Sequence, residues 1–307
     1  MDTKTATGRI SYLGLYCQPI TLISKLMHTL NIHDCIWPQR QPNSHKGQHG
    51  KLAIIGGAEG MLGAALLAAR AGLLAGAGRT YLAFLHPQAP QIDIEFPELM
   101  IRSPDQVFAL DSLDSLAIGP GMGQSSYAKQ LLTQALSSNI PLVLDADALN
   151  IIAQANQDGD ETLMRLMRQC SASHVITPHV GEAARLLDCD TQQIQAQREQ
   201  SAINLAQRYH AVCMLKGAHS VIAQPDAHYV INPTGNAGLA SGGTGDVLCG
   251  VVASLIAQGL SAWQAATTAS FVHGLAADQL LTQGVGPIGM RASEVALQIR
   301  SILNHHG

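Results

Sequence analysis

Short apolar runs recur along this chain, and most of them stop at a loop of glycine and polar residues that leads into a helix-like stretch. Residues 51–55 end in Gly56-Gly57, residues 116–118 in Gly119-Pro120-Gly121-Met122-Gly123, and residues 141–144 in Asp145-Ala146-Asp147. Residues 174–176 stop at Thr177-Pro178-His179, and residues 211–215 at Lys216-Gly217-Ala218. A further run covers 79–85, while 221–223 and 228–231 read as a hairpin. Runs this short, bounded by turn residues, predict strands buried on both faces. Their alternation with helical stretches predicts an α/β domain: a central, largely parallel sheet with helices on both sides, three layers in all. The polar loops then gather at the carboxyl ends of the strands, where such sheets bind ligands.

The 307 residues are 47% hydrophobic, enough for a large core, and α/β folds often use about 250 residues or more as one domain. A net charge of -4 and 4% aromatic content argue against nucleic acid or an acidic membrane surface as partner. The six cysteines form no C-x-x-C pair, so neither a metal cluster nor a disulfide framework is indicated; they read as buried thiols of a cytoplasmic protein. Arg70 interrupts the longest apolar stretch, which leaves no membrane span, and the amino terminus does not read as a signal peptide. Residues 1–44 are irregular, with Trp37-Pro38 and Gln41-Pro42 near their end. They read as an N-terminal extension, dispensable up to about Pro42, before a domain over 45–307.

One loop stands apart. Residues 232–246 carry glycines at 235, 238, 242, 243 and 245 and run into an apolar helix over 247–259, with Asp246 at its start. Free N–H groups and the positive dipole end make such a helix start an anion site. It is not a Walker A loop, because Thr244 stands where the lysine belongs, and Leu248 breaks the dinucleotide fingerprint. An anion hole with an acid beside it suits phosphoryl transfer to a hydroxyl. The plain alternative is a tight turn with Asp246 as helix cap. In either case the dipole is expected to hold Asp246 ionised, with a low pKa.

Several motifs occur in a fixed order: His45-Lys46-Gly47, Gly63-Ala64-Ala65, Gly119-Pro120-Gly121, Asp145-Ala146-Asp147-Ala148-Leu149-Asn150, Thr177-Pro178-His179 with Gly181-Glu182, Leu215-Lys216-Gly217-Ala218, Gly235-Asn236-Ala237-Gly238, and Ser241-Gly242-Gly243-Thr244-Gly245-Asp246. In this set the chain resembles the ADP/ATP-dependent NAD(P)H-hydrate dehydratases, a branch of the ribokinase-like superfamily, from about Ser44 onward. The resemblance implies a ribokinase-like fold and a repair reaction on hydrated (6-hydroxy) NADH or NADPH. There the added hydroxyl is phosphorylated by ATP or ADP with Mg2+, and loss of phosphate restores the ring double bond. It also implies a homotetramer. Some relatives carry an epimerase domain ahead of this one; Ser11 to Leu15 resemble a remnant of it, and epimerase activity is expected to be absent.

Carried over position by position, the resemblance makes Asp246 the catalytic base. Ala64, Gly121, His179 and Asp246 would bind the hydrate. Lys216, Gly217, Ala218, His219, Ser220 and Gly245 would bind the nucleotide. The family often has Gly-Thr where this chain has His219-Ser220, so the part played by position 219 stays open. Glu182 reads equally as a magnesium partner through water or as a first-turn glutamate favoured by the helix dipole. Without the resemblance, Ala64 and Gly121 would be packing and turn residues. Two rival functions remain: a thiazole- or hydroxymethylpyrimidine-type kinase of the same fold, and a nucleotide-binding regulatory subunit without turnover.

Overall fold

The computed structural model describes residues 28–307. Expectations that fall on residues 1–27, including the segment from Ser11 to Leu15 and Cys17, lie outside the described residues. In chain order the elements begin β1 (His28–Thr29), β2 (Lys51–Gly56), α1 (Leu62–Leu74), β3 (Arg79–Phe84), β4 (Met100–Arg102), α2 (Pro104–Phe108) and β5 (Ser115–Ile118). Next come α3 (Ser126–Leu136), β6 (Leu142–Leu144), α4 (Asp147–Gln157), α5 (Thr162–Gln169), β7 (His174–Ile176), α6 (Val180–Leu187), α7 (Thr191–Ala196) and α8 (Arg198–Tyr209). The chain closes with β8 (Val212–Leu215), β9 (Val221–Ala223), β10 (Tyr229–Ile231), α9 (Thr244–Ala257), α10 (Ala262–Thr282) and α11 (Ala292–His306).

The strands form a single ten-stranded sheet in the order β1-β10-β9-β8-β7-β6-β5-β2-β3-β4. Every pairing is parallel except the two made by β9, so β9 alone runs against the rest. Side chains alternate along each strand between two cores. Leu52 and Ile54 of β2 face α1, α9, α10 and α11, whereas Ala53 and Ile55 face α3, α4 and α8 on the other side. This is the three-layer arrangement the alternation predicts.

Helices α1 and α9 meet through backbone. A Cβ on Gly250 would stand 2.0 Å from the Ala68 carbonyl oxygen, and one on Gly72 would stand 3.3 Å from the Gly250 carbonyl oxygen. Only glycine allows that approach.

Part of the stretch set apart as an extension packs on the domain. The Leu30 N–H donates to the Ile231 carbonyl (2.9 Å) and the Ile36 N–H to Thr268 Oγ1 (3.0 Å). Leu30 and Cys35, 4% and 5% exposed, belong to the core beside α10 and α11. A two-residue strand has no periodicity to read. Helices α2, α4 and α5 and the edge strand β4 also escape the sequence reading, and α1 ends at Leu74, just before Gly76 (φ 106°).

Candidate active site

The glycine-rich loop is held from both sides. Gly243 takes a left-handed conformation (φ 91°) as the residue before α9, and the Thr244 hydroxyl lies 2.8 Å from the Leu239 carbonyl and 3.0 Å from that of Ser241. Across from it, Asp278 of α10 accepts from the Gly235 N–H and from Asn236 Nδ2, both at 2.9 Å. His273 Nε2 stands 3.0 Å from the Thr244 carbonyl, with its pKa pushed down to about 4 by burial. Between this loop and the ends of β7 and β8 lies a cleft of about 770 Å³. His179, Lys216, Gly217, Ala218, His219, Ser220 and Gly245 all line it, whereas Ala64, Gly121 and Asp246 do not.

Lys216 is the cation of this region. Its Nζ donates to Asp145 Oδ1 at 2.6 Å, with the side chains 17% and 2% exposed. A Cβ on Gly245 would stand 3.4 Å from the same nitrogen, so the ammonium points at the start of α9. Burial works against its charge, but the carboxylates of Asp145 and Glu182 outweigh it and raise the Lys216 pKa. Arg198 braces the segment from below, donating to the Leu215 carbonyl at 3.1 Å and the Lys216 carbonyl at 3.4 Å. Beyond it the loop turns on itself: the Ser220 hydroxyl donates to the Gly217 carbonyl (3.1 Å), and His219 sits at φ 54°. That is the region where glycine is at ease and histidine is tolerated, which fits the Gly-to-His difference noted at this position.

Asp246 differs from expectation in its ionisation. It stands in the first turn of α9, yet no side chain caps that helix, and its carboxyl makes no hydrogen bond or ion pair with any described residue. Burial raises its pKa to about 7, with the charge of Asp145 adding to the effect, Lys216 opposing it, and Asp147 and Glu182 adding further. The low pKa anticipated from the dipole is therefore corrected. The dipole is one favourable influence, against desolvation and three carboxylates brought in by other elements. The capping alternative fails on the same geometry.

The remaining residues form a second wall. A Cβ on Gly121 (φ 56°) would meet the Met61 carbonyl at 2.7 Å and Ala64 Cβ at 3.1 Å, so Ala64 and Gly121 face each other across a closed seam. Asp147 ties the neighbouring loop down by accepting from the Gly123 N–H (2.9 Å). His179 begins α6. Its Nδ1 accepts from the N–H of Gly181 (2.9 Å) and of Glu182 (3.3 Å), and the His179 N–H donates to Glu182 Oε2 (2.7 Å). Burial, then the charges of Lys216 and Arg185, lower the His179 pKa, with Asp145 opposing. The ring is thus neutral with its proton on Nε2, 3.3 Å from Glu182 Oε1. Glu182, 4% exposed, turns both oxygens to His179, which makes it a cap first. Among the described residues no group of three or more His, Cys, Asp or Glu could hold a metal ion.

A glycine-led helix start, a cation aimed at it and an unpartnered acid beside it coincide with a family match: the model for NAD(P)H-hydrate dehydratase covers residues 52–300. The chain belongs to the NAD(P)H-hydrate dehydratase family. The ADP-dependent (S)-NAD(P)H-hydrate dehydratase of Neisseria meningitidis is 36% identical over 272 residues, covering 88% of this chain and 90% of the relative. The bifunctional NAD(P)H-hydrate repair enzyme of Escherichia coli is 40% identical over 269 residues, 86% of this chain and 50% of the relative. The chain thus spans about half the length of the bifunctional relatives it matches. Among solved structures, the ADP/ATP-dependent NAD(P)H-hydrate dehydratase of Bacillus subtilis, co-crystallised with ATP/Mg2+, superposes with a TM-score of 0.77 at 28% identity, covering 88% of this chain and 94% of that one. The ribokinase-like fold of the dehydratase family is therefore the fold of this chain. No helix among the described residues is long and apolar enough to cross a membrane.

Proposed function

We propose that this chain dehydrates the 6-hydroxy form of NADH and NADPH at the expense of ATP or ADP. The added hydroxyl attacks the terminal phosphorus of the nucleotide, a new O–P bond forms, and the shortened nucleotide leaves. The carbon–oxygen bond then breaks to release phosphate, a neighbouring ring proton is lost, and the double bond returns. The single observation that supports this reading best is Asp246, an acid without a partner at the phosphate-accepting end of α9, with a pKa near 7. An acid poised there can take the hydroxyl proton as the oxygen bonds to phosphorus. Lys216 and the Gly245 N–H would hold the nucleotide phosphates, with Gly217, Ala218, His219 and Ser220 lining the cleft for the rest of the nucleotide. Ala64, Gly121 and His179 would form the wall for the hydrated ring.

Mg2+ fits this site as an ion carried by the nucleotide phosphates rather than held in a protein cage. A hard cation of this size keeps several waters and takes few protein oxygens. Asp147 is the carboxylate that would accept from those waters, ahead of the more enclosed Glu182. When bound, the ion neutralises charge building on the transferred phosphoryl group. A cytoplasmic homotetramer completes the reading; the buried thiols of Cys35, Cys213 and Cys249 suit a reducing compartment. The test is direct: purified protein, NADH hydrate, Mg2+ and either ATP or ADP should restore the reduced-nicotinamide absorbance. Failure with both nucleotides overturns the reading.

A further inference from the structure

A polar hollow of about 310 Å³ opens beside the second wall, outside the nucleotide cleft, and one face of α4 makes its side. Asn150, Ala153, Gln154 and Gln157 recur there at three- and four-residue steps, so the hollow starts one turn beyond Asp147 and runs roughly 10 Å along the helix. Gln124, next to Gly123 of the wall loop, and Arg185 of α6 close it. The connection to the site is continuous. Asp147 accepts from the Gly123 N–H (2.9 Å) and from Asn150 Nδ2 (3.3 Å), and Asn150 Oδ1 accepts from Arg185 Nε (3.0 Å).

That last bond fixes the plane of the Arg185 guanidinium through its inner nitrogen and leaves the two terminal nitrogens without a hydrogen bond to any described residue. Around them stand amides: Gln124 and Gln157 can turn their NH2 groups inward, whereas Asn150 holds its own on Asp147 (3.3 Å) and Gln154 spends its own on Asp158 (2.9 Å) at the far end. An oriented guanidinium with a free fork, flanked by the amides of Gln124 and Gln157, matches the charge and shape of a phosphate. A hydrated dinucleotide has its phosphates away from the reacting ring, so a phosphate site set off from Asp246 has a use.

We propose that this hollow binds a phosphate group of the hydrated dinucleotide, with Arg185 as its cation; the proposal rests on the functional reading above. The group is either the 2′-phosphate of the NADPH form or the pyrophosphate common to both forms. The test compares the wild-type protein with Arg185→Gln and Gln154→Glu, the second placing a negative charge in the hollow without touching Arg185. KM and kcat are measured for NADH hydrate and NADPH hydrate, alongside KM for ATP. For both variants the hydrate KM rises by about ten-fold or more, the usual loss of a charged hydrogen bond, while kcat and the ATP KM move much less. A rise confined to NADPH hydrate assigns the 2′-phosphate, and an equal rise with both assigns the pyrophosphate. Wild-type turnover with hydrate KM values within two-fold in either variant overturns the subsite alone. An inactive wild type overturns the functional reading and this inference with it.

Discussion

Lys216 Nζ lies 2.6 Å from Asp145 Oδ1 and at the same time faces the start of α9, where a methyl on Gly245 would come within 3.4 Å of it. One ammonium therefore serves two anions: a buried carboxylate beneath it and the phosphate expected in front of it.

Lys216→Ala should consequently show two separable defects. Loss of the phosphate contact should weaken ATP and ADP binding by roughly 1–3 kcal/mol. Loss of the ion pair leaves Asp145 charged and unpaired, which should lower stability by about 3–5 kcal/mol. Adding Asp145→Asn should recover most of the melting temperature but none of the affinity. Calorimetry and thermal melts on the single and double variants check this; unchanged nucleotide affinity in Lys216→Ala would remove the assignment.

Asp246→Asn keeps the size of the side chain but cannot accept a proton, so turnover should fall by roughly 10²–10⁴-fold, the usual share of a general base. In the wild-type protein, kcat/KM for the hydrate should rise as pH passes through about 7, where Asp246 gives up its proton. The Asn variant should lack that limb. A rate profile still rising near pH 7 in the variant would assign the ionisation to another group.

The same carboxyl should act on stability in the opposite sense. Its pKa is near 3.8 in an unfolded chain and about 7 in the fold, so between those values the folded state binds more protons than the unfolded one. Stability then declines as pH rises through this window, and the whole penalty is present above pH 7. Asp246→Asn should therefore melt above the wild type at pH 8, with the gap closing by about pH 4. Equal melting temperatures at pH 8 would mean that burial does not disfavour this charge.

At His179 two roles can be told apart by the choice of replacement. Asparagine can also cap a helix, so His179→Asn should hold the melting temperature while raising the hydrate KM. His179→Ala should lose the cap as well, about 1 kcal/mol. Steady-state kinetics and melts on both variants decide; an unaffected KM in His179→Asn would leave the histidine a cap only.

Deletion through Pro42 takes away Leu30 and Cys35 from the core and the strand pair Thr29 with Ile231. Burying a leucine is worth about 1.5–3 kcal/mol, so the truncated chain should melt lower than the full one and lose activity at the same temperature. A truncation with wild-type melting behaviour would return this segment to the status of a dispensable extension.

How much of this could be read from the residues follows from where each signal sits. Strands β2, β5, β6, β7 and β8 are buried on both faces, and their apolar runs announce them. Strand β4 is three half-covered residues at the sheet edge and carries no such run. Lys216 and His179 stand in loops and Gly245 in the first turn of α9, each with distinctive neighbours, so they could be singled out. Arg185, Arg198, His273 and Asp278 lie on helices, and the groups they hold are remote in sequence. The ionisation of Asp246 departs from the sequence expectation for the same reason. Its helix start is visible in sequence, whereas Asp145, Asp147 and Glu182 reach it only through the folded sheet.

The contact between Gly250 and Ala68 lies four residues beyond Asp246 on one helix and four beyond Ala64 on the other. Asp246 and Ala64 are thus mounted on two rods pinned together about one turn beyond them, with main chain and not side chain as the pin. The span between Asp246 and Ala64 is set at that pin, since any residue larger than glycine there would alter it. On the roles proposed above, this backbone contact is the gauge that sets how far the proton acceptor stands from the substrate wall.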